Sequence, residues 1–463
     1  MNDADAVSFG TDGWRATREE FTPSRVRLVG RAVATHLDDE ARAGPVAVGY
    51  DARERSREFA EALADVLTAA GRDVRLSDRD CPTPTLAWTV ARECVGGLMI
   101  TASHNPPEYN GVKFVPADGA PALPAVTEDI ERRLAAVADD PPTVPEDEAG
   151  TAPDVDMVGP YVEHALEFAG ADLSGLSVVY DAMHGSGRGV TDRLLSRAGA
   201  DVTRLRCDRD PDFGGTAPEP VPERTEQLVG RVTSGEADLG VVNDGDADRL
   251  GVITPERGFL DPNVLLAVLY EFLLEEGAGD VVRTVSTSSL VDRVAAAHGQ
   301  AVHETAVGFK WVAEAMAEYD ALAGGEESGG FGVTAHLRNK DGVLLALLVA
   351  AAASERPLDA RVDDLFEAHG EVHQDRVSVD CPDGRKADVL GALEDAIGDE
   401  VAGTPVEGVN TVDGFKTALA DGTWLLVRPS GTEPKIRVYA EATSPERVEQ
   451  LLAAGRDLIG PHV

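Results

Sequence analysis

Apolar and polar positions along this chain alternate between a strand-like and a helix-like period, and the alternation repeats. Val46–Asp51 (VAVGYD) is a short apolar run of strand type, Ser56–Ala70 carries the helical period, and Gly71 leads into a second strand, DVRLS. The same order recurs at Val178–Asp181, followed by a helix, Gly199 and the strand DVTRL. It recurs again at Val281–Ser286, with a helix around Leu290–Ala297, then Gly299 and the strand AVHET. Strands alternating with amphipathic helices predict α/β units with mixed, mostly parallel sheets, and the self-similarity predicts three similar domains.

Each copy adds a second helix and a third apolar strand, and the loops after those strands differ in chemistry. GLMI runs into TASHNPPEYNGVK, DLGVV into NDGDADRLG, and ALA into GGEESGG. Open α/β sheets bind ligands beyond the carboxyl ends of their strands, so the three loops are expected to face a central cleft. Past residue 370 the plan changes: HQDRVSVD and TWLLVRPSGTEPKIRVYAEA read as strands, with helices at Lys386–Ile397 and Pro445–Ile459. The expected domains are residues 1–145, 155–255 and 256–368, then a smaller α+β domain over 369–463. The Pro-, Asp- and Glu-rich stretch Asp139–Asp156 reads as a linker.

Composition narrows the partners. Against 42 Lys+Arg stand 82 Asp+Glu, a formal net charge of −40, which repels nucleic acid and anionic membranes. Only six residues are Lys, a balance expected of a halophile, so each retained Lys is a candidate for a specific task. Cys81, Cys94, Cys207 and Cys381 form no CxxC pair, which favours a reducing compartment. The start, MNDADAVSFG, lacks a signal-peptide core, and the longest apolar run, Val343–Ala353, is too short to span a bilayer and predicts a buried helix. A cytoplasmic protein is expected, monomer or dimer.

Ser103, in Thr101-Ala102-Ser103-His104-Asn105-Pro106, follows a buried strand. A Ser hydroxyl is a poor nucleophile without a base or an attached phosphoryl group, and Ser and Asn are also common turn residues. Lys113 adds a cation ten residues on. Asp244, Asp246 and Asp248 place three carboxylates within five residues at a strand end, which repel one another unless a cation joins them. Oxygen ligands favour Mg²⁺; an EF-hand is excluded because Arg249 and Pro255 stand where Gly and Glu are needed, while an aspartate-nucleophile phosphatase stays open. Glu326, Glu327 and Ser328 lie among glycines, suited to sugar hydroxyls, with Lys310 and Lys340 flanking. Arg428-Pro429-Ser430-Gly431-Thr432-Glu433-Pro434-Lys435 offers a forked donor, hydroxyls and free amides, as a phosphate loop does, without a nucleotide-binding GxxxxGK[ST] pattern.

Together, FGTDGWR (Phe9–Arg15), TASHNP, DGDADR, GEESGG and RPSGTEPK resemble, in order and over essentially the whole chain, the α-D-phosphohexomutase family. The resemblance implies a phosphoserine at Ser103 and one Mg²⁺ held by Asp244, Asp246, Asp248 and a phosphoserine oxygen. It implies Arg249 and Arg15 near that phosphate, and Lys113 or His104 as general base or acid. Glu326, Ser328 and Lys310 would bind the sugar; Arg428, Ser430, Gly431 and Thr432 would hold the non-reacting phosphate. The implied reaction interconverts hexose 1- and 6-phosphates through a hexose 1,6-bisphosphate. GEESGG ends in Gly330 where many members carry His, and with GFKW (Gly308–Trp311) it looks like the glucose-type mutases. Phosphoglucosamine mutase is the alternative.

Overall fold

The computed structural model describes residues 3–10, 13–431 and 433–463. The chain forms two compact units, Met1–Leu265 with Ser328–Ala360, and Leu266–Glu327 with Arg361–Val463.

The first unit contains two sheets of one plan. In the first, the buried strand Val46–Tyr50 is flanked in parallel by Val74–Ser77 and Gly96–Ile100, and Gly96–Ile100 pairs antiparallel with Tyr109–Pro116. In the second, Ser177–Asp181 is flanked in parallel by Asp201–Leu205 and Leu239–Asn243, and Leu239–Asn243 pairs antiparallel with Leu250–Thr254. The central strands are mainly apolar because both faces are covered; Gly96–Ile100 and Leu239–Asn243 have no exposed residue. The helices Pro23–Asp39 and Ser56–Ala69 bury one apolar face each in a cluster with Val46, Val48, Leu98 and Ile100. In the same unit Val343–Ala353 is buried throughout, within the helix Gly342–Glu355. Asp341 caps that helix, accepting from Val343 N at 3.1 Å and Leu344 N at 2.8 Å.

Within Asp139–Asp156, the stretch expected as a linker, Asp154–Val155 joins the edge of the first sheet beside Val74–Ser77. Two residues, one of them Asp, give no alternation by which to detect such a strand.

In the second unit Val281–Thr284 is flanked in parallel by Val302–Thr305 and Ala323–Gly325, the third copy of the plan, with helices Leu290–Ala297 and Phe309–Glu318. The C-terminal region is a six-stranded antiparallel sheet in which His373–Asp380 pairs with Lys435–Ala442 and Trp424–Pro429 pairs with Phe415–Leu419. Helices Asp383–Ala396 and Pro445–Ile459 contribute Val389, Leu393, Leu451 and Leu452 to its core. The architecture is three α/β domains and a smaller α+β domain. Among the described residues no helix is long and apolar enough to cross a membrane.

Candidate functional site

The chain leaves the strand Gly96–Ile100 and turns at once, with Ser103 at φ +51. A left-handed backbone at a non-glycine residue costs free energy and persists only where neighbours hold it. Here a buried arginine does so. Arg53 Nη2 donates to Ser103 O and Asn105 O, each at 2.6 Å, and Nη1 donates to Pro106 O at 2.7 Å and Tyr109 O at 3.1 Å. Its Nε donates to Asp51 Oδ2 at 3.0 Å. Asp51 also accepts from Thr101 Oγ1, which in turn accepts from Ser103 N, both at 2.8 Å. Asp51, Arg53, Thr101 and Ser103 are buried and the other acceptors are half-buried, so the cluster fixes the loop more firmly than a surface network could.

Ser103 Oγ donates to Asp244 Oδ2 at 2.8 Å and lies 3.3 Å from His104 Nδ1. The first and second repeats thus bring their loops to one point. Gly245 allows the approach: a Cβ there would stand 2.6 Å from Ser103 O. Asp244, Asp246 and Asp248 are all buried, with one carboxylate oxygen of each within 4.8 Å of the others. Burial, then the charges of Asp246 and Asp248, pushes Asp244 well above the usual carboxylate range. Burial acts the same way on Asp246, but Lys113, the Thr83 hydroxyl and Lys340 outweigh it and hold Asp246 low.

Lys113 and Lys340 reach these carboxylates. Lys113 Nζ lies 3.2 Å from Asp246 Oδ2 and 3.3 Å from Asp248 Oδ2, and Lys340 Nζ lies 2.9 Å from Asp248 Oδ2. Thr83 Oγ1 donates to Asp246 Oδ2 at 2.6 Å, and Arg249 N donates to Asp244 Oδ1 at 3.1 Å. The oxygens Asp246 Oδ1 and Asp248 Oδ1 are buried without a hydrogen-bond partner among the described residues. A buried acceptor left so costs free energy that a cation would recover, and the all-oxygen donor set suits a hard divalent ion. The triplet could therefore bind a metal. Arg15 Nη1 donates to Asn105 Oδ1 at 3.2 Å, which places it on the Ser103 loop. Burial, then Arg249 and Arg15, holds the His104 imidazole well below the ordinary histidine value.

In the second unit Glu326 is buried and its Oε1 accepts from Gly308 N at 3.0 Å, in the turn that precedes Lys310. Arg428 is the last buried residue of the strand Trp424–Pro429, and its Nε donates to Asp413 Oδ2 at 3.0 Å. Ser430 and Gly431 lie in the turn after it; Lys386 Nζ donates to Ser430 O and Glu433 O, each at 2.6 Å. Ser328 belongs to the first unit, beside Gly329, whose carbonyl accepts from Leu250 N at 3.1 Å. Thr432, like Thr11 and Asp12 of the N-terminal motif, lies outside the described residues. Arg53, Thr83 and Asp413 carried no sequence signal as site residues; Lys386 was marked only by the rarity of lysine, and Lys340 only as a flank of the Glu326 loop.

The chain matches the family described as phosphoglucomutase/phosphomannomutase in four successive parts. These are alpha/beta/alpha domain I over residues 6–140, domain II over 159–258, domain III over 261–369, and the C-terminal domain over 377–458. It is 37% identical to a Methanopyrus kandleri protein named "Probable phosphoglucosamine mutase", covering 96% of this chain and 95% of that one. It is 33% identical to a phosphoglucomutase/phosphomannomutase of Thermococcus kodakarensis, covering 97% and 98%. The fold matches the crystal structure of a phosphoglucomutase/phosphomannomutase family protein from Burkholderia thailandensis, with TM-score 0.86 at 22% identity over 100% and 98% of the two chains. Four domain matches in order, on a chain whose first two repeats join Ser103 to an aspartate triplet, make this protein a member of the phosphoglucomutase/phosphomannomutase family, the α-D-phosphohexomutases.

Proposed function

We propose that the protein interconverts hexose 1-phosphate and hexose 6-phosphate, with Ser103 as a reusable phosphoryl carrier. The observation that supports this most is the contact of Ser103 Oγ with Asp244 within a buried triplet of carboxylates. Asp244, Asp246 and Asp248, with an oxygen of the Ser103 phosphoryl group, would hold one Mg²⁺. When bound, that ion supplies the positive charge that a transferring phosphoryl group requires.

The chain's own residues account for the rest. The phosphoryl group leaves Ser103 Oγ for a sugar hydroxyl: the Oγ–P bond breaks, the new O–P bond forms, and the hydroxyl proton passes to a base. His104, held neutral by burial, Arg249 and Arg15, is the base that takes the sugar hydroxyl proton, and Lys113, a cation between two carboxylates, is the acid that supplies a proton to the departing Ser103 Oγ. The resulting hexose 1,6-bisphosphate turns over and returns its other phosphoryl group to Ser103. Arg428, Ser430, Gly431 and Thr432 grip whichever phosphate is not reacting, while Glu326, Ser328 and Lys310 read the sugar. Arg15 and Arg249 neutralise charge near Ser103.

Glucose is the proposed sugar, with mannose second, because GEESGG and GFKW resemble glucose-type loops. Glucosamine phosphate is a second reading, favoured by the name of the Methanopyrus relative. Steady-state assays on glucose, mannose and glucosamine 1-phosphates test the choice. The highest kcat/KM is expected for glucose; a higher value for glucosamine would replace that reading, and turnover of none would end the proposal.

A further inference from the structure

Asp413 lies between the strands Thr404–Asn410 and Phe415–Leu419, where no motif marks it. Its Oδ2 accepts from Arg428 Nε and Nη2, each at 3.0 Å, and also from Val307 N at 3.0 Å. The next amide along, Gly308 N, donates to Glu326 Oε1 at 3.0 Å. Two adjacent backbone amides therefore tie one carboxylate that holds Arg428 and one that is offered to the sugar. Gly414 lets the turn come this close: a Cβ there would stand 2.3 Å from Val427 O and 2.7 Å from Arg428 Cβ. The side chains of Asp413 and Arg428 are 18% and 8% exposed, so solvent screens this pair much less than a surface ion pair.

We propose that Asp413 is a positioning residue that sets the spacing between the phosphate-reading Arg428 and the hydroxyl-reading Glu326. The inference rests on the roles given to those two residues under Proposed function. A carboxylate on the Nε edge stops the guanidinium from turning and leaves its Nη1 edge for a phosphate. A mutase binds one sugar in two orientations against a single phosphate grip. The spacing from that grip to the hydroxyl reader must therefore serve both orientations, and a rigid link through Val307 and Gly308 provides it.

The test is steady-state kinetics of Asp413→Asn and Asp413→Ala in both reaction directions, alone and combined with Glu326→Gln. Asp413→Asn should raise KM for hexose 1-phosphate and hexose 6-phosphate alike, by about 10- to 100-fold, because Arg428 and Val307 N lose a charged acceptor. Its kcat should stay within about threefold, since no reacting atom is touched. Combined with Glu326→Gln the effects should fall short of their product, as expected of coupled sites. An unchanged KM, a loss confined to kcat, or effects that multiply independently would overturn the proposal. Calorimetric binding of glucose 6-phosphate to Ser103→Ala, with and without Asp413→Asn, gives a second reading free of turnover. Weaker binding on loss of Asp413 supports the role even if the parent protein shows no mutase activity, a result that would count against the mutase reading alone. Equal binding overturns the role and leaves the mutase reading intact.

Discussion

Ser103 Oγ and Asp244 Oδ2, separated by 141 positions in the chain, meet at 2.8 Å. The contact depends on Gly245, where a Cβ would press on Ser103 O at 2.6 Å. Gly245→Ala is expected to push the two loops apart while leaving both sheets intact. Activity should fall by about 100-fold or more, since a displacement of this order misaligns reacting groups. Circular dichroism and a thermal melt alongside the assay check this; full activity would mean that the spacing is not critical.

The aspartate triplet makes a prediction about the metal-free protein. Burial and like charge raise the Asp244 pKa, so the folded state binds more protons than the unfolded state and loses stability as pH rises through that raised value. Asp244→Asn removes the repulsion but keeps an acceptor for Ser103 Oγ. In EDTA the variant should be more stable than the parent at neutral pH, by on the order of 1 kcal/mol, with a flatter pH dependence. In excess Mg²⁺ the order should reverse and the variant should be inactive. Melting curves with and without chelator read both.

Lys340 pairs with Asp248 at 2.9 Å, and Lys113 pairs with the same oxygen at 3.3 Å. Lys340→Met should lower kcat by roughly 100-fold, the usual effect of removing one group that stabilises developing charge. Because the two lysines share an acceptor, the loss in Lys113→Met/Lys340→Met should be smaller than the product of the single losses. A double-mutant cycle checks the coupling.

Arg53 donates to four carbonyl oxygens and to Asp51 from a nearly solvent-free position. Arg53→Ala leaves Asp51 buried without its charged partner and should cost about 3–5 kcal/mol. Arg53→Lys cannot satisfy the same set, having three donors and no fork. Urea titration gives the stability, and proteolysis at residues 103–108 should become faster in both variants.

The net charge of −40 predicts a stability that climbs with salt. Screening shortens the reach of repulsion from about 10 Å near 0.1 M to about 3 Å near 1 M. The melting temperature should rise across that range of KCl, and a flat response would argue against the halophile reading.

What the sequence disclosed and what it hid follow from chain distance. The repeat was legible because each copy carries its own strand and helix periods locally, and the aspartate triplet because three charges in five residues demand an explanation by themselves. Lys113 drew notice because lysine is rare here, and it lies beside Asp246 and Asp248. Thr83 and Arg53 were invisible: each is a common residue type whose partner lies far along the chain, Asp246 for one and the Ser103 loop for the other. Asp413 is one of 82 acidic residues, and only the folded turn singles it out. Helix and strand ends differed by a few residues, as where Lys386–Ile397 was expected and Asp383–Ala396 is found, because an N-terminal turn led by Pro and Asp has little apolar periodicity.

The central claim is that Ser103 carries the phosphoryl group between sugars. Peptide mass spectrometry after incubation with glucose 1,6-bisphosphate tests it directly, with Ser103→Ala as the control. The account predicts one phosphoryl group on Ser103, removed when excess glucose 1-phosphate is added, and no mutase activity in Ser103→Ala. Phosphate on another residue, or full activity in Ser103→Ala, would contradict it.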